Sequence, residues 1–422
     1  MEKRFIFVAA GIAAALVAVS VGTVVLFGGS GDETATSMTR AATPATTAAA
    51  STTTAATTTS SSTTTPLPGP SITLTLSGSG RLQQTAEDFY AWLSNREGVE
   101  APPMAEGLAA FLAEATVAED LELAGEFATA ALSDETEVAV VTAGEDVLLA
   151  ADEGEGWRIV GAKLASLGLE PWYGEPVRFV MIVGTDARPG YIERVFRGDS
   201  LHLLTSNIGE ASGAVVGFPR DAWVEAPYGR MDKLTHVNAI ADSAALVQVV
   251  RDLTGLPVEG YIVTGFKSFR HMVDAFGGVV VDVPFAMNDP KSSAFLVAGE
   301  QTLLGQNALA FSRNRSIQGG DFTRSFHQGM VIVAALDGVQ QRGILDLPDL
   351  LRLLSGYTWT DLSTGDLLTL AAGAYEIDPA GVPNLVLPGS VATIGGASVV
   401  LLDESVEETY RDLDDGIITP VE

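Results

Sequence analysis

Four short segments of this 422-residue chain place arginine close to aspartate where strands are predicted to end. Ligands of α/β proteins bind in the loops beyond strand ends, so residues at these positions are candidates for binding. One Arg–Asp pair is most often a structural ion pair, but three pairs at successive strand junctions favour a shared anion site. The first three pairs are Asp186 with Arg188, Arg197 with Asp199, and Arg220 with Asp221.

The fourth segment carries Arg313 and Arg315 at the end of an apolar run, which is predicted to form the strand Asn307–Ser312. Residues two apart on an extended chain point the same way. Two guanidinium groups side by side repel each other unless an anion lies between them. The planar fork of arginine matches phosphate oxygens with paired hydrogen bonds. This spacing therefore predicts a phosphate-binding site.

Asp321, Arg324 and Gln328 follow two glycines at spacings of three and four, which places them on one face of the predicted helix Phe322–Val339. Asp321 lies near the helix N-terminus, where free N–H groups and the helix dipole favour an anion. Together with the two preceding arginines, these residues predict a pyrophosphate clamp with carboxylates available for a divalent metal. The alternative is an exposed charged helix face, because surface ion pairs are weak.

Composition limits the classes of function. The chain has no cysteine, which excludes disulfides, thiolate zinc sites and a cysteine nucleophile. Its formal net charge of −29 argues against nucleic acid as a partner, because phosphate backbones attract basic surfaces. Ten of the 24 lysines and arginines are arginines between Arg188 and Arg324, and this concentration in an acidic chain indicates a local anion site.

The N-terminal third divides by composition. Residues 1–4 are basic and are predicted to lie in the cytoplasm, and the uncharged apolar run 5–27 is long enough for a transmembrane anchor. We expect a single-pass protein of the cell membrane with its catalytic domain outside the cell; a cleaved signal peptide is the alternative. The Thr/Ser/Ala/Pro tract 28–70 is predicted to be a disordered stalk, because it has few large apolar residues to bury.

Residues 71–176 are predicted to form a small acidic α+β accessory domain, in which we find no catalytic motif. It either docks a partner or spaces the main domain from the membrane. Its predicted helices are Arg81–Arg96 and Ala109–Leu132, and its predicted strands are Ile72–Leu76, Glu137–Ala143, Asp146–Ala151 and Gly156–Lys163.

Residues 177–422 alternate between strand and helix patterns, which is typical of an α/β domain. The expected fold is an α-β-α layered catalytic domain around a central mixed sheet, preceded by the transmembrane helix, the disordered stalk and the small α+β domain. One predicted helix, Phe266–Phe276, has an apolar stripe, and such a stripe is more often part of the core than of a ligand channel.

The ordered set of segments resembles the LytR–CpsA–Psr phosphotransferases of bacterial cell walls over about Val177–Thr409. Any one motif is weakly specific, whereas the ordered set is strong. The resemblance rests on Gly184-Thr185-Asp186-Ala187-Arg188, Arg197-Gly198-Asp199-Ser200, Pro219-Arg220-Asp221, Asp232-Lys233-Leu234, Gly277-Gly278-Val279-Val280-Val281-Asp282-Val283-Pro284, Gly305-Gln306-Asn307-Ala308-Leu309, Arg313-Asn314-Arg315 and Asp321-Phe322-Thr323-Arg324.

The resemblance implies a membrane-tethered enzyme that joins a polyprenyl-pyrophosphate-linked glycopolymer to a peptidoglycan sugar hydroxyl through a phosphodiester. It implies that Asp199 and Asp321 hold Mg²⁺ or Mn²⁺ or order the arginines. It implies that Arg188, Lys233 and Arg324 complete the positive field. The residues that would bind the pyrophosphate are Arg197, Arg220, Arg313, Arg315 and Gln328.

Within this set, the carboxylates Asp186, Asp199 and Asp321 are the predicted metal ligands, and Asp186 or Asp199 is the candidate acceptor of the sugar proton. The chain departs from the family pattern in two places. His327 stands where the family often has a second arginine, and the stretch after Lys233 lacks the usual small-aromatic and Gly-Gly continuation. The predicted catalytic residues are Asp199, Arg220, Arg313, Arg315 and Asp321.

Two other functions remain open, and a third is disfavoured. The same clamp would serve a metal-dependent pyrophosphatase on polyprenyl-pyrophosphate lipids, or a non-catalytic protein that binds wall polymers or regulates their attachment. Gly198-Asp199-Ser200-Leu201 spells the signature of a family of serine esterases, but such an enzyme needs a histidine base oriented by an acid. No Asp-x-x-His motif follows in the C-terminal part, which argues against the esterase.

Overall fold

A computed structural model of the protein describes residues 70–78, 80–187 and 195–419. The predicted tail 1–4, the predicted anchor 5–27 and the predicted stalk, apart from Pro70, lie outside these ranges. Within them, no helix combines the length and the apolar character needed to cross a membrane.

The N-terminal part of the described chain forms a five-stranded sheet in the order β1-β2-β3-β4-β5. Strands β1 and β2 are parallel, and the remaining neighbours are antiparallel. Helix α1 covers one face because its apolar residues recur every three to four positions and are buried together. The elements are β1 (Ile72–Leu76), α1 (Arg81–Ser94), α2 (Glu106–Phe111), β2 (Leu121–Ala131), β3 (Glu137–Ala143), β4 (Asp146–Asp152) and β5 (Arg158–Lys163).

The predicted helix Ala109–Leu132 is wrong over most of its length, because Leu121–Ala131 is the strand β2. The first half of β2 alternates between partly buried and exposed side chains, and this period of two is that of a strand. At Gly125 an added Cβ would lie 1.7 Å from the carbonyl oxygen of Thr142, so glycine permits close pairing with β3. Pairing with two neighbouring strands outweighs the helix propensity of an Ala/Leu/Glu-rich segment.

The central sheet has six strands in the order β16-β11-β6-β7-β8-β17. It is mixed: β11 runs parallel to β6 and β17 to β8, while β6, β7 and β8 are antiparallel neighbours. The prediction of an α/β fold around a central mixed sheet is therefore confirmed. The first elements of this part are β6 (Val177–Thr185), β7 (Gly198–Asn207), β8 (Ser212–Gly217), β9 (Trp223–Ala226), β10 (Arg230–Lys233), α3 (Leu234–Ile240), α4 (Ser243–Thr254), β11 (Gly260–Gly265) and α5 (Phe266–Phe276).

Helices cover both faces of the central sheet, because the side chains of β6 alternate between two apolar cores. Val180 and Ile182 belong to the core formed with α5 and later helices, whereas Phe179 and Met181 belong to the core formed with α3 and α4. The remaining elements are β12 (Val279–Val283), β13 (Met287–Asp289), β14 (Ala294–Leu296), β15 (Gly299–Leu303), α6 (Gly305–Arg313), α7 (Asp321–Gln340), α8 (Leu347–Ser355), β16 (Trp359–Thr360), α9 (Thr364–Gly373), β17 (Asn384–Val386), β18 (Gly389–Ile394), β19 (Ala397–Leu402) and α10 (Val406–Asp412).

The predicted strand Asn307–Ser312 is also wrong, because these residues lie inside helix α6. A short apolar run cannot be assigned to strand or helix from its pattern alone. Contact with α5 fixes the helix: the N–H of Gly305 donates to Oδ1 of Asp274 at 2.9 Å. Arg313 is consequently the last residue of a helix, and Arg315 lies in the loop that follows.

The five-stranded sheet shares a core with the larger part of the described chain. Val140 and Leu149 belong to the same buried cluster as Leu350 and Leu370, and Oε2 of Glu376 lies 2.8 Å from the Lys163 ammonium. Residues 71–176 thus form their own sheet and contact α8 and α9 closely. The division of the chain at residue 176 stays a prediction.

Candidate active site

The candidate site lies at one edge of the central sheet. Strands β6 and β7 are antiparallel, so the end of β6 meets the start of β7, where the N–H of Asp186 donates to the carbonyl of Arg197 at 3.1 Å. Strand β8 ends at the same edge and is followed by Arg220. The sheet thereby brings together the three Arg–Asp pairs of the sequence, except for Arg188, which lies outside the described residues.

Asp199 is the carboxylate around which three arginines converge. Its Oδ1 accepts a hydrogen bond from Arg220. Its Oδ2 lies 3.8 Å from Nη1 of Arg324 and 3.9 Å from Nη2 of Arg315. These arginines come from the turn after β8, from α7 and from the loop after α6, so their meeting depends on the tertiary structure.

Asp321 is the second carboxylate shared by the same arginines. Its Oδ2 lies 3.4 Å from Nε of Arg220 and 3.1 Å from Nη2 of Arg324, and its Oδ1 lies 3.3 Å from Nε of Arg315. We call these five residues the arginine cluster: Asp199, Arg220, Arg315, Asp321 and Arg324. The cluster has three positive and two negative charges, and the excess suits an anion.

Arg220 and Arg324 keep their positive charge at neutral pH. Burial lowers the pKa of Arg324 to about 10, although Asp321 opposes the shift. For Arg220 burial also acts to lower the pKa, but Asp199 and Asp321 outweigh it and raise the pKa above its usual value. Both guanidinium groups can therefore meet a phosphate as cations. Arg315 is the most accessible, with 46% of its side chain exposed.

Asp186 and Arg197 stand beside the cluster. Nε of Arg197 lies 3.6 Å from Oδ2 of Asp186. Burial raises the pKa of Asp186, and the negative charge of Asp199 raises it further. Asp186 is thus a stronger base than an ordinary aspartate, and its buried Oδ1 has no hydrogen-bond partner among the described residues.

Lys233 reaches the cluster through an intermediate residue. Its ammonium lies 2.9 Å from Oδ1 of Asp221, and Oδ2 of Asp221 lies 4.0 Å from Nε of Arg220. Lys233 therefore contributes to the positive field without contacting Asp199 or Asp321. The sequence motif contains Asp221, but its position between Lys233 and Arg220 depends on tertiary contacts.

Two cavities open from the site, and both are lined by Asp199, Arg313 and Arg324. The apolar cavity has a volume of about 50 Å³ and lies between the sheet and helices α5, α6 and α7. Its apolar lining includes Ile182, Phe266, Phe269, Leu309, Val331 and Ile332. The polar cavity has a volume of about 440 Å³, and its other lining residues are Asp289, Lys291, Ser292, Arg315 and Ser316.

Arg313 and Gln328 line the apolar cavity without joining the ion pairs of the cluster. The guanidinium of Arg313 stacks on Phe266 at 4.7 Å. Gln328 donates to the carbonyl of Ser312 at 3.1 Å, and its buried Oε1 has no partner among the described residues. The stripe of α5 divides: Phe266 and Phe269 line the cavity, whereas Met272, Val273 and Phe276 are buried in the core.

Ser200 and His202 form a hydrogen-bonded pair that the sequence did not reveal. Nε2 of His202 meets the carbonyl of Ser325 at 3.1 Å, so this nitrogen carries the proton and Nδ1 accepts from Ser200 at 3.1 Å. Complete burial lowers the pKa of His202 to about 4, which makes it a weak base at neutral pH. A carbonyl, not a carboxylate, orients the ring, so the pair does not form the triad of a serine esterase.

The carboxylates of the site could bind a hard divalent cation such as Mg²⁺ only together with oxygen atoms of the substrate. Among the described residues, no three His, Cys, Asp or Glu side chains lie close enough to hold a metal ion. Asp186 and Asp199 are nevertheless close enough for the charge of one to raise the pKa of the other. Mg²⁺ is commonly bound by one or two carboxylates together with substrate phosphates. The residues fit such a site, and the metal remains a prediction.

Several curated proteins are similar in sequence to about half of this chain. The most similar curated relatives include the polyisoprenyl-teichoic acid–peptidoglycan teichoic acid transferase TagU of Bacillus licheniformis, which is 31% identical over 229 residues, covering 54% of this chain and 73% of the relative. TagT of Bacillus subtilis, named as a transferase of the same kind, is 28% identical over 227 residues, covering 48% of this chain and 70% of the relative.

Solved structures show the same fold. TagV of Bacillus subtilis aligns with a TM-score of 0.51 at 23% identity, over 58% of this chain and 100% of TagV. A protein from Streptococcus agalactiae aligns with a TM-score of 0.50 at 21% identity, over 58% of this chain and 90% of its own. The sequence pattern of the LytR_cpsA_psr family matches residues 174–414, which are more than half of the chain. The chain therefore belongs to the LytR_cpsA_psr family.

Proposed function

We propose that the chain is a phosphotransferase that moves a polyprenyl-pyrophosphate-linked glycopolymer onto a sugar hydroxyl of peptidoglycan. The observation that carries the proposal is the convergence of Arg220, Arg315 and Arg324 on Asp199, a residue that lines both the apolar and the polar cavity. A donor of this kind has one apolar end, one polar end and a pyrophosphate between them. The names of TagU and TagT support the same class of donor and acceptor.

The arginine cluster supplies most of the chemistry that phosphoryl transfer needs. The transfer depends mainly on positioning and on stabilising charge at the phosphoryl oxygens. Three guanidinium groups fixed by Asp199 and Asp321 are preorganised for that charge, so little reorganisation is required during the reaction. In the reaction, the acceptor hydroxyl oxygen bonds to the phosphorus that carries the polymer. The P–O bond to the lipid phosphate breaks, and the lipid phosphate leaves.

Asp186 is the proposed acceptor of the hydroxyl proton. Asp199 is held by three arginines, whereas Asp186 has a raised pKa and an unpartnered buried oxygen. A base works best when its pKa approaches the working pH, which favours Asp186 over Asp199. Bound Mg²⁺ or Mn²⁺ would be held by Asp199 and Asp321 together with the substrate phosphates and would neutralise further phosphate charge, which leaves Asp186 free to accept the proton.

The proposed location is the outer face of a cell membrane, with residues 5–27 as a single-pass anchor. Its support is the apolar length of this run and the basic Lys3 and Arg4 before it. A membrane anchor would keep the site near a lipid-linked donor. Cell fractionation with protease added from outside tests this directly: the catalytic domain should be membrane-bound and cleaved in intact protoplasts, and protection would contradict the topology.

The activity is tested by incubating the full chain in detergent with a polyprenyl-pyrophosphate glycopolymer and peptidoglycan. We expect free lipid phosphate and peptidoglycan-linked polymer. Arg220→Ala and Arg315→Ala should each lower the transfer rate by about 100-fold or more, because each removes a donor to the developing charge. Arg352→Ala, at an exposed ion pair on α8, is the matched control and should transfer normally.

The products separate this activity from its alternative. Lipid phosphate together with free phosphorylated polymer would identify a pyrophosphatase, in which water replaces the sugar hydroxyl. Normal polymer transfer by Arg220→Ala would contradict the proposed role of the cluster. Absence of turnover by the wild-type chain with any donor would contradict the proposed activity itself.

A further inference from the structure

The β13–β14 hairpin has one face in the core and one face in solvent. Leu296 is buried in the core cluster that also contains the buried residues of α6. On the opposite face Phe295 exposes 64% of its surface, and Val297, directly after β14, exposes 70%. Among the large apolar residues that the structure describes, only Val391 is comparably exposed. Phe285, just before β13, adds a second exposed aromatic ring. Such a group of exposed apolar side chains on one hairpin indicates an interaction surface.

The solvent face of this hairpin carries no acid. Residues 283–299 contain only two charged side chains, Asp289 and Lys291. Asp289 is buried, and its carboxylate accepts hydrogen bonds from the N–H groups of Lys291 and Ser292 at 3.1 and 3.2 Å. Lys291 is exposed, so the charge that this segment presents to its surroundings is positive. In a chain with a formal net charge of −29, this segment is a local exception.

The hairpin is fixed to the candidate site. Lys291 and Ser292 line the polar cavity together with Arg315. The hydroxyl of Ser316, in the loop that carries Arg315, also donates to the carboxylate of Asp289. A partner that binds the solvent face of the hairpin would therefore hold the arginine cluster at a defined distance from itself.

We propose that the solvent face of the β13–β14 hairpin binds the surface of the lipid bilayer, with Phe295 and Val297 inserted between the lipid headgroups. Interfacial segments combine apolar side chains with lysine or arginine, because the bilayer offers both an apolar boundary and anionic headgroups. An acidic surface would be repelled by those headgroups, and this face has no exposed carboxylate. The inference rests on the proposed location of the chain at a membrane, and it adds a second contact with the bilayer besides the predicted anchor 5–27.

The β18–β19 hairpin is the alternative bilayer contact. It exposes Val391 and Leu401, and residues 389–402 contain no charged side chain. The same residues include no aromatic ring and no lysine, and they line neither cavity of the site. The β13–β14 hairpin is therefore favoured, because it offers aromatic rings, a positive charge and a direct connection to the arginine cluster.

The test uses the lack of cysteine in the chain, which allows a fluorophore to be attached at one chosen position. Phe295→Cys and Val297→Cys are labelled with nitrobenzoxadiazole, and the full chain is placed in nanodiscs of phosphatidylcholine and phosphatidylglycerol, one chain per disc. Interfacial side chains lie about 5–10 Å deep, so nitroxide-labelled lipid should quench both labels. Phe111→Cys on α2 and Val391→Cys, with the same 70% exposure as Val297, are the controls and should not be quenched.

A second measurement connects this contact to the donor. Phe295→Ser combined with Val297→Ser should lower the transfer rate from a long-chain donor in liposomes by about tenfold, the effect of withdrawing one aromatic side chain from an apolar environment. Transfer from a short-chain donor that is soluble in water should not change. Phe111→Ser is the control and should behave as the wild type with both donors. Both apolar side chains are exposed, so the fold should be intact, which a thermal melt checks.

The inference is overturned if the labels at Phe295→Cys and Val297→Cys are quenched no more than the label at Phe111→Cys. It is also overturned if the label at Val391→Cys is the more strongly quenched one, or if the double variant loses transfer equally with both donors. A chain that transfers no polymer but shows quenching at the hairpin supports the bilayer contact and contradicts the proposed activity. A chain that transfers polymer while both hairpin labels stay unquenched supports the activity and contradicts the contact.

Discussion

Arg324 holds Asp199 at two points. Its Nη2 donates to the backbone carbonyl of Asp199 at 3.0 Å, and its Nη1 lies 3.8 Å from the carboxylate. Only 3% of the Arg324 side chain is exposed. Helix α7 is thereby fixed to the start of β7, and the position of the central carboxylate depends on a buried guanidinium.

Replacement of this arginine should destabilise the protein as well as inactivate it. Arg324→Ala leaves two carboxylates with one cation fewer, and removing one partner of a buried pair costs roughly 3–5 kcal/mol. Urea unfolding measures the loss. The control Arg352→Ala breaks an exposed pair with Asp349 and should cost about 1 kcal/mol or less. A similar, small loss for both variants would contradict the structural role of Arg324.

The pH dependence of transfer should report Asp186. Because burial and then Asp199 raise the pKa of Asp186, the acid limb of kcat/KM should lie above the ordinary aspartate value of 3.8. Arg197 lowers this pKa, so Arg197→Ala should move the limb to higher pH. The profile is measured between about pH 4 and pH 8. Arg230→Ala, at an exposed arginine of β10, serves as the control and should leave the acid limb of the profile in place. If Arg197→Ala also leaves the acid limb unmoved, Asp186 is excluded as the base.

Stability should fall in mild acid because two histidines are buried as neutral rings. Burial lowers the pKa of His202 and of His327 to about 4, from an ordinary value of 6.5. As the pH falls, these two histidines bind protons in the unfolded chain before they do so in the folded one. Their contribution to the free energy of unfolding is therefore complete above pH 6.5 and is lost as the pH falls toward 4. His327→Phe keeps the stacking on Phe311 and removes one titrating ring. Urea unfolding at several pH values should give a shallower pH dependence for the variant, and an unchanged dependence would be the contrary result.

The start of α6 should tolerate no side chain. A Cβ added to Gly305 would lie 2.3 Å from the carbonyl oxygen of Arg270, and that atom belongs to the backbone of α5. Gly305→Ala should therefore displace the helix that ends at Arg313 and cost about 1–3 kcal/mol. Gly343→Ala is the matched control, because its Cβ meets nothing within 4 Å and its φ of −70° suits any residue. Thermal unfolding compares the two, and equal melting temperatures would refute the close contact.

The sequence was sufficient for the parts of the fold and site that depend on local patterns. The apolar run of β6 and the apolar stripe of α5 predict their elements directly, and the rule that ligands bind at strand ends brings Arg197 and Arg220 to one edge. Asn307–Ser312 was assigned to the wrong element because a short apolar run has no unambiguous period. The contact with α5 that decides it comes from residues about thirty positions earlier.

The parts of the site that the sequence could not predict depend on distant residues. Asp289-Pro290-Lys291 signals only a turn, and nothing local indicates that Asp289 and Lys291 line the same cavity as Arg313 and Arg315. The partners of each arginine are equally non-local, since Arg220 meets a carboxylate from β7 and another from α7.

The most direct test of the account is a crystal structure of the full chain, purified in detergent, with a short-chain isoprenyl pyrophosphate. We expect electron density for the two phosphates against Arg220, Arg315 and Arg324, with the isoprenyl chain in the apolar cavity beside Phe266. Phosphates bound elsewhere, out of contact with all three guanidinium groups, would contradict it.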